Sequence, residues 1–211
     1  MANVNYPFGF RMLQRQSDNT PVFSLGQDPL KFANGLVTKV ARGDLILRLA
    51  TGYVTPAVAA LGATGRDQCV GIFAGCAYLS LSQGKRIVSP IYPGGDAIGD
   101  IDVQVVPLES YQNARMIVQA SAGPIVFSDI GLLADIVYAA PTVYGAWAKS
   151  GVTLGAPVAA PGAATLPFKI IGLASQYAGK GAAAAGQNGL DNTTPFNQVI
   201  VEFNGNSAVG I

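Results

Sequence analysis

The sequence contains no histidine and few charged side chains. Charged residues make up 12% of the 211, about half of the roughly 25% found in typical soluble domains, and the formal net charge is +1. Histidine is the commonest general base, so its absence excludes serine–histidine and cysteine–histidine catalysis within one chain. The small net charge provides no field that would favour nucleic acid, and we expect no direct nucleic-acid partner.

Motifs for other enzyme chemistry are missing as well. The sequence has no Gly-x-Ser-x-Gly elbow, and Lys85 and Lys180 follow glycines that lack the spacing of a phosphate-binding loop. The few acidic residues fall mostly in predicted turns, which disfavours a two-carboxylate glycosidase. We therefore expect a protein that is not an enzyme and that has no catalytic, cofactor-binding or metal-binding residues.

The best candidate for a metal site is a group of three aspartates, Asp96, Asp100 and Asp102. Clustered carboxylates suit Ca²⁺, but the spacing does not match an EF-hand loop. Asp100 and Asp102 share one face of a predicted strand, where they could instead pair with an arginine. A structural turn with a solvated face is the favoured interpretation, and a metal site is the alternative.

Only two cysteines are present, Cys69 and Cys76, and their spacing fits no common metal pattern. An odd offset on one continuous strand points them to opposite faces. We interpret both as small buried hydrophobic residues in a reducing compartment, with a disulfide across a bend as the alternative. Long apolar runs are also absent: residues 130–148 come closest and are interrupted by Asp135 and Pro141, so we expect no membrane span.

Apolar residues, glycine and proline are plentiful. The clearest element is a hairpin, in which residues 70–81 and 86–92 are apolar runs and residues 82–85 form a polar break with a glycine. Similar units fill the chain. The predicted fold class is all-β with a minor helix, made of short antiparallel strands in a β-barrel or sandwich, with an extended N-terminal arm and long Gly/Ala-rich loops such as residues 179–189.

The sequence divides into an N-terminal arm and turn-rich segment (1–35), a small β-meander (36–65) and a main β domain (66–211), unless all three form one domain. Residues 56–65 read as a flexible linker. Residues 130–140 fit either a short helix or a buried strand, because periodicity cannot separate the two for so short a run.

The tripeptide Arg42-Gly43-Asp44 predicts a tight turn between two strands, since glycine and aspartate both favour turns. The same three residues form the cell-adhesion motif of integrin ligands. A match of three residues often arises by chance, so the turn is the favoured interpretation.

Aromatic residues mark the candidate interface. The opening N-V-N-Y-P-F-G-F-R contains a proline and a glycine, which exclude a regular helix, and it reads as an extended arm. Its rings either cap the protein's own core or dock on a neighbour. Buried aromatic and arginine side chains are the usual anchors of interfaces, so the predicted set is Tyr6, Phe8, Phe10, Arg11 and the single tryptophan, Trp147.

Half of the residues are hydrophobic, which is unusual beside so little charge. A solitary soluble protein needs a polar coat, so this composition favours a surface that neighbours cover. The alternative is a well-packed monomer coated with Ser, Thr, Asn and Gln.

Several segments together resemble the head decoration, or cement, proteins of tailed bacteriophages. The resemblance is spread over most of the chain, in N-Y-P-F-G-F-R (5–11), G-D-L-I-L-R-L-A-T-G-Y-V-T-P-A (43–57), V-G-I-F-A-G-C-A-Y (70–78), S-P-I-Y-P-G-G (89–95), D-V-Q-V-V-P (102–107) and the ending from I-I-G-L-A to V-I-V-E-F-N (170–204).

This resemblance implies a non-enzymatic virion protein that binds the outer capsid surface and bridges neighbouring capsomers. The implied partners are the major capsid protein and further copies of the chain, as a homotrimer, and the implied location is the capsid exterior after synthesis in the host cytoplasm. Two alternatives are another virion component (tail, connector or minor shell protein) and a glycan-binding host-attachment module, in which Tyr92 near Asp96 would stack on a sugar.

Overall fold

The computed structural model describes residues 3–14, 30–108, 115–121, 123–144, 147–159, 165–174 and 193–204. Within these residues the chain forms seventeen strands and a single seven-residue α-helix, so the all-β prediction is confirmed. The predicted Gly/Ala-rich loop over residues 179–189 lies outside the described residues.

The strands are short except for two long ones near the middle of the chain. Those of the first half are β1 (Arg11–Gln14), β2 (Leu30–Phe32), β3 (Val40–Ala41), β4 (Leu45–Arg48), β5 (Val54–Pro56), β6 (Cys69–Ser80), β7 (Arg86–Ser89), β8 (Ile91–Tyr92) and β9 (Ala97–Pro107). Those of the second half are β10 (Arg115–Gln119), β11 (Leu133–Ala134), β12 (Ile136–Val137), β13 (Thr142–Tyr144), β14 (Trp147–Lys149), β15 (Thr153–Leu154), β16 (Phe168–Leu173) and β17 (Gln198–Phe203).

The predicted hairpin is confirmed as β6 and β7. The two strands pair antiparallel from Cys76 opposite Ser89 to Leu79 opposite Arg86. Gly84 lies in the intervening turn with φ of +61°, a conformation that glycine adopts without strain. The second strand ends before Pro90, which has no N–H to donate, and the chain then pairs β8 with β3 instead.

The first strand of this hairpin, β6, belongs to a closed barrel. Its strands follow the order β4-β5-β2-β9-β6, and an additional pairing between β4 and β6 completes the ring, with β7 attached outside it. The barrel core includes Phe32, Ile46, Phe73, Tyr92 and Ile101, all fully buried. Strands from both sides of the predicted boundary between residues 65 and 66 therefore form one barrel.

A second sheet has the order β1-β10-β17-β16-β11 and is antiparallel throughout. It shares a core with the outside of the barrel, where Phe168 and Val201 pack in one cluster with Leu45 and Ile72. Strand β6 lines both cores, and irregularities in its pairing between Cys69 and Gly71 and between Phe73 and Gly75 change which face its side chains reach.

Two such irregularities lie between the two cysteines, so their effects on the side-chain direction cancel. Cys69 belongs to the core shared with the second sheet, and Cys76 belongs to the barrel core, so the prediction of opposite faces is confirmed. Both are buried thiols. Burial raises the pKa of Cys76 to about 12, which keeps the thiol protonated and unreactive.

The segment over residues 56–65, predicted as a flexible linker, instead leads into helix α1 (Gly62–Gln68). The carboxylate of Asp135 accepts hydrogen bonds from the N–H groups of Leu61 (2.9 Å) and Gly62 (2.7 Å). These bonds satisfy donors that the first helical turn leaves without partners. Asp135 itself separates β11 from β12, and the run that fitted either a helix or a strand contains these two short strands.

The ring of Phe10 lies in the core, so its truncation should be costly. Phe10 is 1% exposed and stacks on Phe168 with ring centroids 4.4 Å apart. We expect Phe10→Ala to lower the free energy of unfolding by about 3–5 kcal/mol, and the exposed Phe127→Ala to change it by less than about 0.5 kcal/mol. Urea denaturation measures both. If Phe10→Ala changed the free energy of unfolding as little as Phe127→Ala, the result would contradict the packing of Phe10 in the core.

Candidate functional site

The N-terminal arm is bound to the body of the protein through its backbone. The buried side chain of Gln119 on β10 accepts a hydrogen bond from Tyr6 N–H (3.1 Å) and donates to the carbonyls of Val4 (3.0 Å) and Phe196 (3.1 Å). Both the carbonyl oxygen and the NH2 group of this side-chain amide are hydrogen-bonded, so Gln119 fixes the position of the arm along β10. Asn3 extends the contact by donating its N–H to the hydroxyl of Thr194.

Further along the arm, a glycine allows a very close approach. Phe10 N–H donates to the carbonyl of Gly43 at 2.9 Å. Gly9 has φ of +70°, and a Cβ built on it would lie 2.5 Å from both Gly43 O and Ser150 Oγ. A larger residue would have to push the arm away, since a Cβ atom does not approach an oxygen atom this closely.

The structure separates the aromatic residues that the sequence grouped together. Phe10 is a core residue, so its ring is not available to a partner and the predicted interface loses one member. Phe8 is half-buried, and the guanidinium of the exposed Arg11 lies 4.6 Å from the centre of its ring. Tyr6 is 47% exposed, with the ammonium of Lys149 over its ring.

Trp147 lies on a projecting hairpin. Strands β13 and β14 form a sheet of two strands, in which Tyr144 is opposite Trp147 and Thr142 is opposite Lys149. Trp147 is 74% exposed and Tyr144 is 54% exposed. Directly opposed residues share one face of a sheet, so the two rings and Lys149 lie on the same side.

These contacts join the arm to the hairpin. Lys149 reaches from the base of the hairpin to the ring of Tyr6, so Tyr6, Tyr144, Trp147 and Lys149 form one exposed area, which we call the aromatic surface. Partial burial lowers the pKa of Lys149. The surface offers flat apolar rings and one amine, and it holds no acid or thiol, so it is suited to binding rather than to catalysis.

Tyr144 and Lys149 were not among the predicted interface residues. The sequence Y-G-A-W carries a usable signal, because a two-residue break with glycine between short strands is typical of a hairpin and would place Tyr144 opposite Trp147. No local signal points to Lys149, since its contact with Tyr6 depends on how distant segments fold together.

A second exposed apolar area lies on the outside of the barrel. Leu79 on β6 is opposite Ile98 on β9, and Val88 on β7 is opposite Ala77. Leu79, Ile98 and Val88 are all exposed. Arg86 and Asp102 form an ion pair of 2.8 Å beside them. We call this area the barrel patch.

Each of the three clustered aspartates has its own local partner. Asp96 accepts from the hydroxyl of Ser80 at 2.6 Å, which lowers its pKa. Asp100 accepts from the hydroxyl of Tyr53 at 3.0 Å, and Asp102 pairs with an arginine as one interpretation predicted. Among the described residues, no group of three or more acidic or cysteine side chains is placed to hold a metal ion.

The Arg42-Gly43-Asp44 turn is confirmed, with Gly43 at φ of +102°. Asp44 is only 1% exposed, and its carboxylate accepts hydrogen bonds from Ser150 Oγ (2.5 Å) and Ala41 N–H (2.8 Å). Burial raises the pKa of Asp44 to about 6, although both hydrogen bonds oppose this. An adhesion motif needs an accessible carboxylate. The carboxylate of Asp44 is buried, so this tripeptide does not form such a motif.

The sugar-stacking role of Tyr92 is also not supported by its position. Tyr92 is fully buried in the barrel core, and its hydroxyl donates to the carbonyl of Leu36 at 2.9 Å. A ring that stacks on a sugar must expose one face. The glycan site predicted at Tyr92 and Asp96 is therefore not formed.

Removal of the Gln119 side chain should loosen the arm. Gln119→Ala eliminates three hydrogen bonds to the arm and to residue 196, each worth about 1 kcal/mol. We expect the Tyr6 amide to exchange with solvent at least roughly tenfold faster, relative to the amides of β17, in hydrogen–deuterium exchange. Gln104→Ala, which truncates an exposed side chain of β9, is the control. Unchanged exchange at Tyr6 would show that Gln119 does not hold the arm.

None of the helices in the described part of the chain is long and apolar enough to cross a membrane. Comparison with known proteins adds no relative: no protein-family model matches the chain, and neither the curated proteins nor the solved structures include a significant match.

Proposed function

We propose that this protein is a non-enzymatic structural component of a virion, which binds the outer capsid surface and stabilises the head by bridging neighbouring capsomers. The observation that carries the proposal is the aromatic surface, where Tyr144 and the single tryptophan are exposed on a hairpin of two strands. The resemblance of several segments to phage cement proteins supplies the identity of the partner.

The exposed hairpin is unfavourable in water and favourable against a partner. A hairpin of two strands has little stability of its own. This one has apolar side chains on both faces, since Val143 lies on the face that does not carry the two rings. Covering a tryptophan that is 74% exposed contributes on the order of 3 kcal/mol. Exposed rings of this kind are the usual centres of binding energy in interfaces.

Bridging requires more than one contact area. The barrel patch lies on β6, β7 and β9, whereas the aromatic surface lies on β13, β14 and the arm, so two separate groups of elements present apolar side chains. A protein that contacts two capsomers favours the assembled state by mass action, and many copies on one particle add avidity. The implied partners are the major capsid protein and copies of the chain itself, as a homotrimer.

Binding to particles tests the proposal. Capsids prepared without this protein are mixed with the purified chain, and co-sedimentation measures occupancy. We expect Trp147→Ala to weaken binding roughly thirtyfold, since a central aromatic anchor contributes about 2 kcal/mol or more. Phe127→Ala is the control, because Phe127 is also 74% exposed but lies outside the aromatic surface. If the wild-type chain binds and the two variants bind with equal affinity, Trp147 has no special role in binding.

The arm is tested by substitution rather than deletion. Removal of residues 1–11 would take Phe10 out of the core and would confound binding with folding. Tyr6→Ala removes an exposed ring and is expected to weaken particle binding by several-fold. Failure of the wild-type chain to associate with any capsid would contradict the proposed function as a whole.

The alternatives predict different locations and ligands. Electron microscopy of particles would place another virion component in the tail, the connector or the shell, whereas a decoration protein adds density outside the shell. A host-attachment module would bind glycans, and a glycan array measures this directly.

A further inference from the structure

Asp44 lies where three parts of the protein meet. Its Oδ1 accepts a hydrogen bond from Ser150 Oγ, and its Oδ2 accepts one from Ala41 N–H. Its backbone carbonyl accepts from Phe73 N–H of β6 at 2.8 Å. Through its carboxylate and its backbone carbonyl together, Asp44 therefore connects the turn before β4, the strand β6 and the segment that follows β14.

The N-terminal arm covers this junction. Gly9 packs against Gly43 O and Ser150 Oγ so closely that no Cβ fits between them. Phe10 N–H holds the same carbonyl at 2.9 Å. Gly9 therefore lies directly on the carbonyl of Gly43, next to Asp44 in the chain, and on the hydroxyl of Ser150, which donates to the Asp44 carboxylate.

No nearby cation compensates the charge of Asp44 in the described part of the chain. Arg42 in the same turn is exposed, and Lys149 beside Ser150 lies over the ring of Tyr6. Tyr138 faces Asp44, and its pKa is raised by its own burial and by the charge of Asp44. The arm over residues 3–9 carries no ionisable group except Tyr6, and the contact from β6 is through Phe73.

We propose that Asp44 is a pH-dependent latch for the N-terminal arm: the neutral carboxyl holds the arm docked, and the ionised carboxylate favours its release. This device does not depend on capsid binding. The neutral acid keeps both contacts, since its O–H can donate to Ser150 Oγ while the other oxygen still accepts from Ala41 N–H. The ionised form must remain desolvated as long as the arm is docked, and it regains water when Gly9 lifts.

The direction of the pH effect follows from linkage. Burial raises the pKa of Asp44 from 3.8 to about 6 in the docked structure, and the proposed latch requires that release of the arm return the pKa towards 3.8. Below the lower value Asp44 is neutral in both states, and docking is strongest. As the pH rises through 6 the docked state loses stability relative to the released state, by at most about a hundredfold in the equilibrium constant.

Hydrogen–deuterium exchange of the full-length chain tests the latch. The reporter is the Phe10 amide, which is protected by Gly43 O only when the arm is docked. After correction for intrinsic exchange, we expect its protection to fall by tenfold to a hundredfold, roughly, between pH 4 and pH 7.5. In Asp44→Asn the protection should not change with pH. Asp67→Asn, which alters an exposed carboxylate, should keep the wild-type response.

The amides of β17 distinguish local release from global unfolding. If their protection falls in parallel with that of Phe10, the pH effect is global and the latch is overturned. Constant protection of Phe10 in wild type, or an unchanged pH response in Asp44→Asn, would overturn it as well.

A second variant applies if Asp44→Asn does not fold. Gly9→Ala places a Cβ 2.5 Å from Gly43 O and Ser150 Oγ, so it should prevent docking at every pH. We expect the Phe10 amide of this variant to lose protection and its pH dependence while β17 stays protected. Retention of the wild-type pH response in Gly9→Ala would contradict the proposal.

Discussion

The buried carboxylate of Asp44 determines how the other parts of this protein are arranged. It binds Ala41 N–H within its own turn and Ser150 Oγ on the far side of the junction. Ser150 directly follows β14, so this bond fixes the base of the hairpin that carries Trp147. Gly43 and Ser150 together form the seat of Gly9, so the same contact positions the arm. The buried carboxylate of Asp44 therefore lies at the junction of the arm and the hairpin, the two elements that carry the aromatic surface.

The low charge of the sequence has two structural causes. The first is internal: β6 places Phe73 in the barrel core and Ile72 in the core shared with the second sheet, so the fold requires two apolar interiors. The second is external, since Trp147 and Val88 are both 74% exposed. A domain with a single core would need fewer buried apolar residues. It would also expose fewer large apolar side chains. The exposed remainder is what the proposed capsid role would use.

Local sequence predicted the features that depend on neighbouring residues. The β6–β7 hairpin and the turn at Gly43 follow from alternation and turn chemistry. The opposite orientation of Cys69 and Cys76 was also predicted, although two pairing irregularities that the sequence does not show lie between them and cancel. Features that depend on distant residues were not predictable. Tyr6 and Phe10 would have the same parity in an extended segment, but Gly9 between them has φ of +70°, and Phe10 is buried against the distant Phe168. The hydrogen bond from Leu61 N–H, at the start of α1, to Asp135 is another contact of this kind, since nothing in the sequence near Asp135 indicates its partner.

The proposed function requires that Trp147 become buried when the protein is on a capsid. The chain has one tryptophan, so replacing it with 7-azatryptophan gives a single probe that can be excited apart from tryptophans of the shell. Quenching of its emission by acrylamide is measured with and without saturating capsids. We expect capsids to protect the probe from the quencher and to shift its emission. Binding that leaves both quenching and emission unchanged would contradict it.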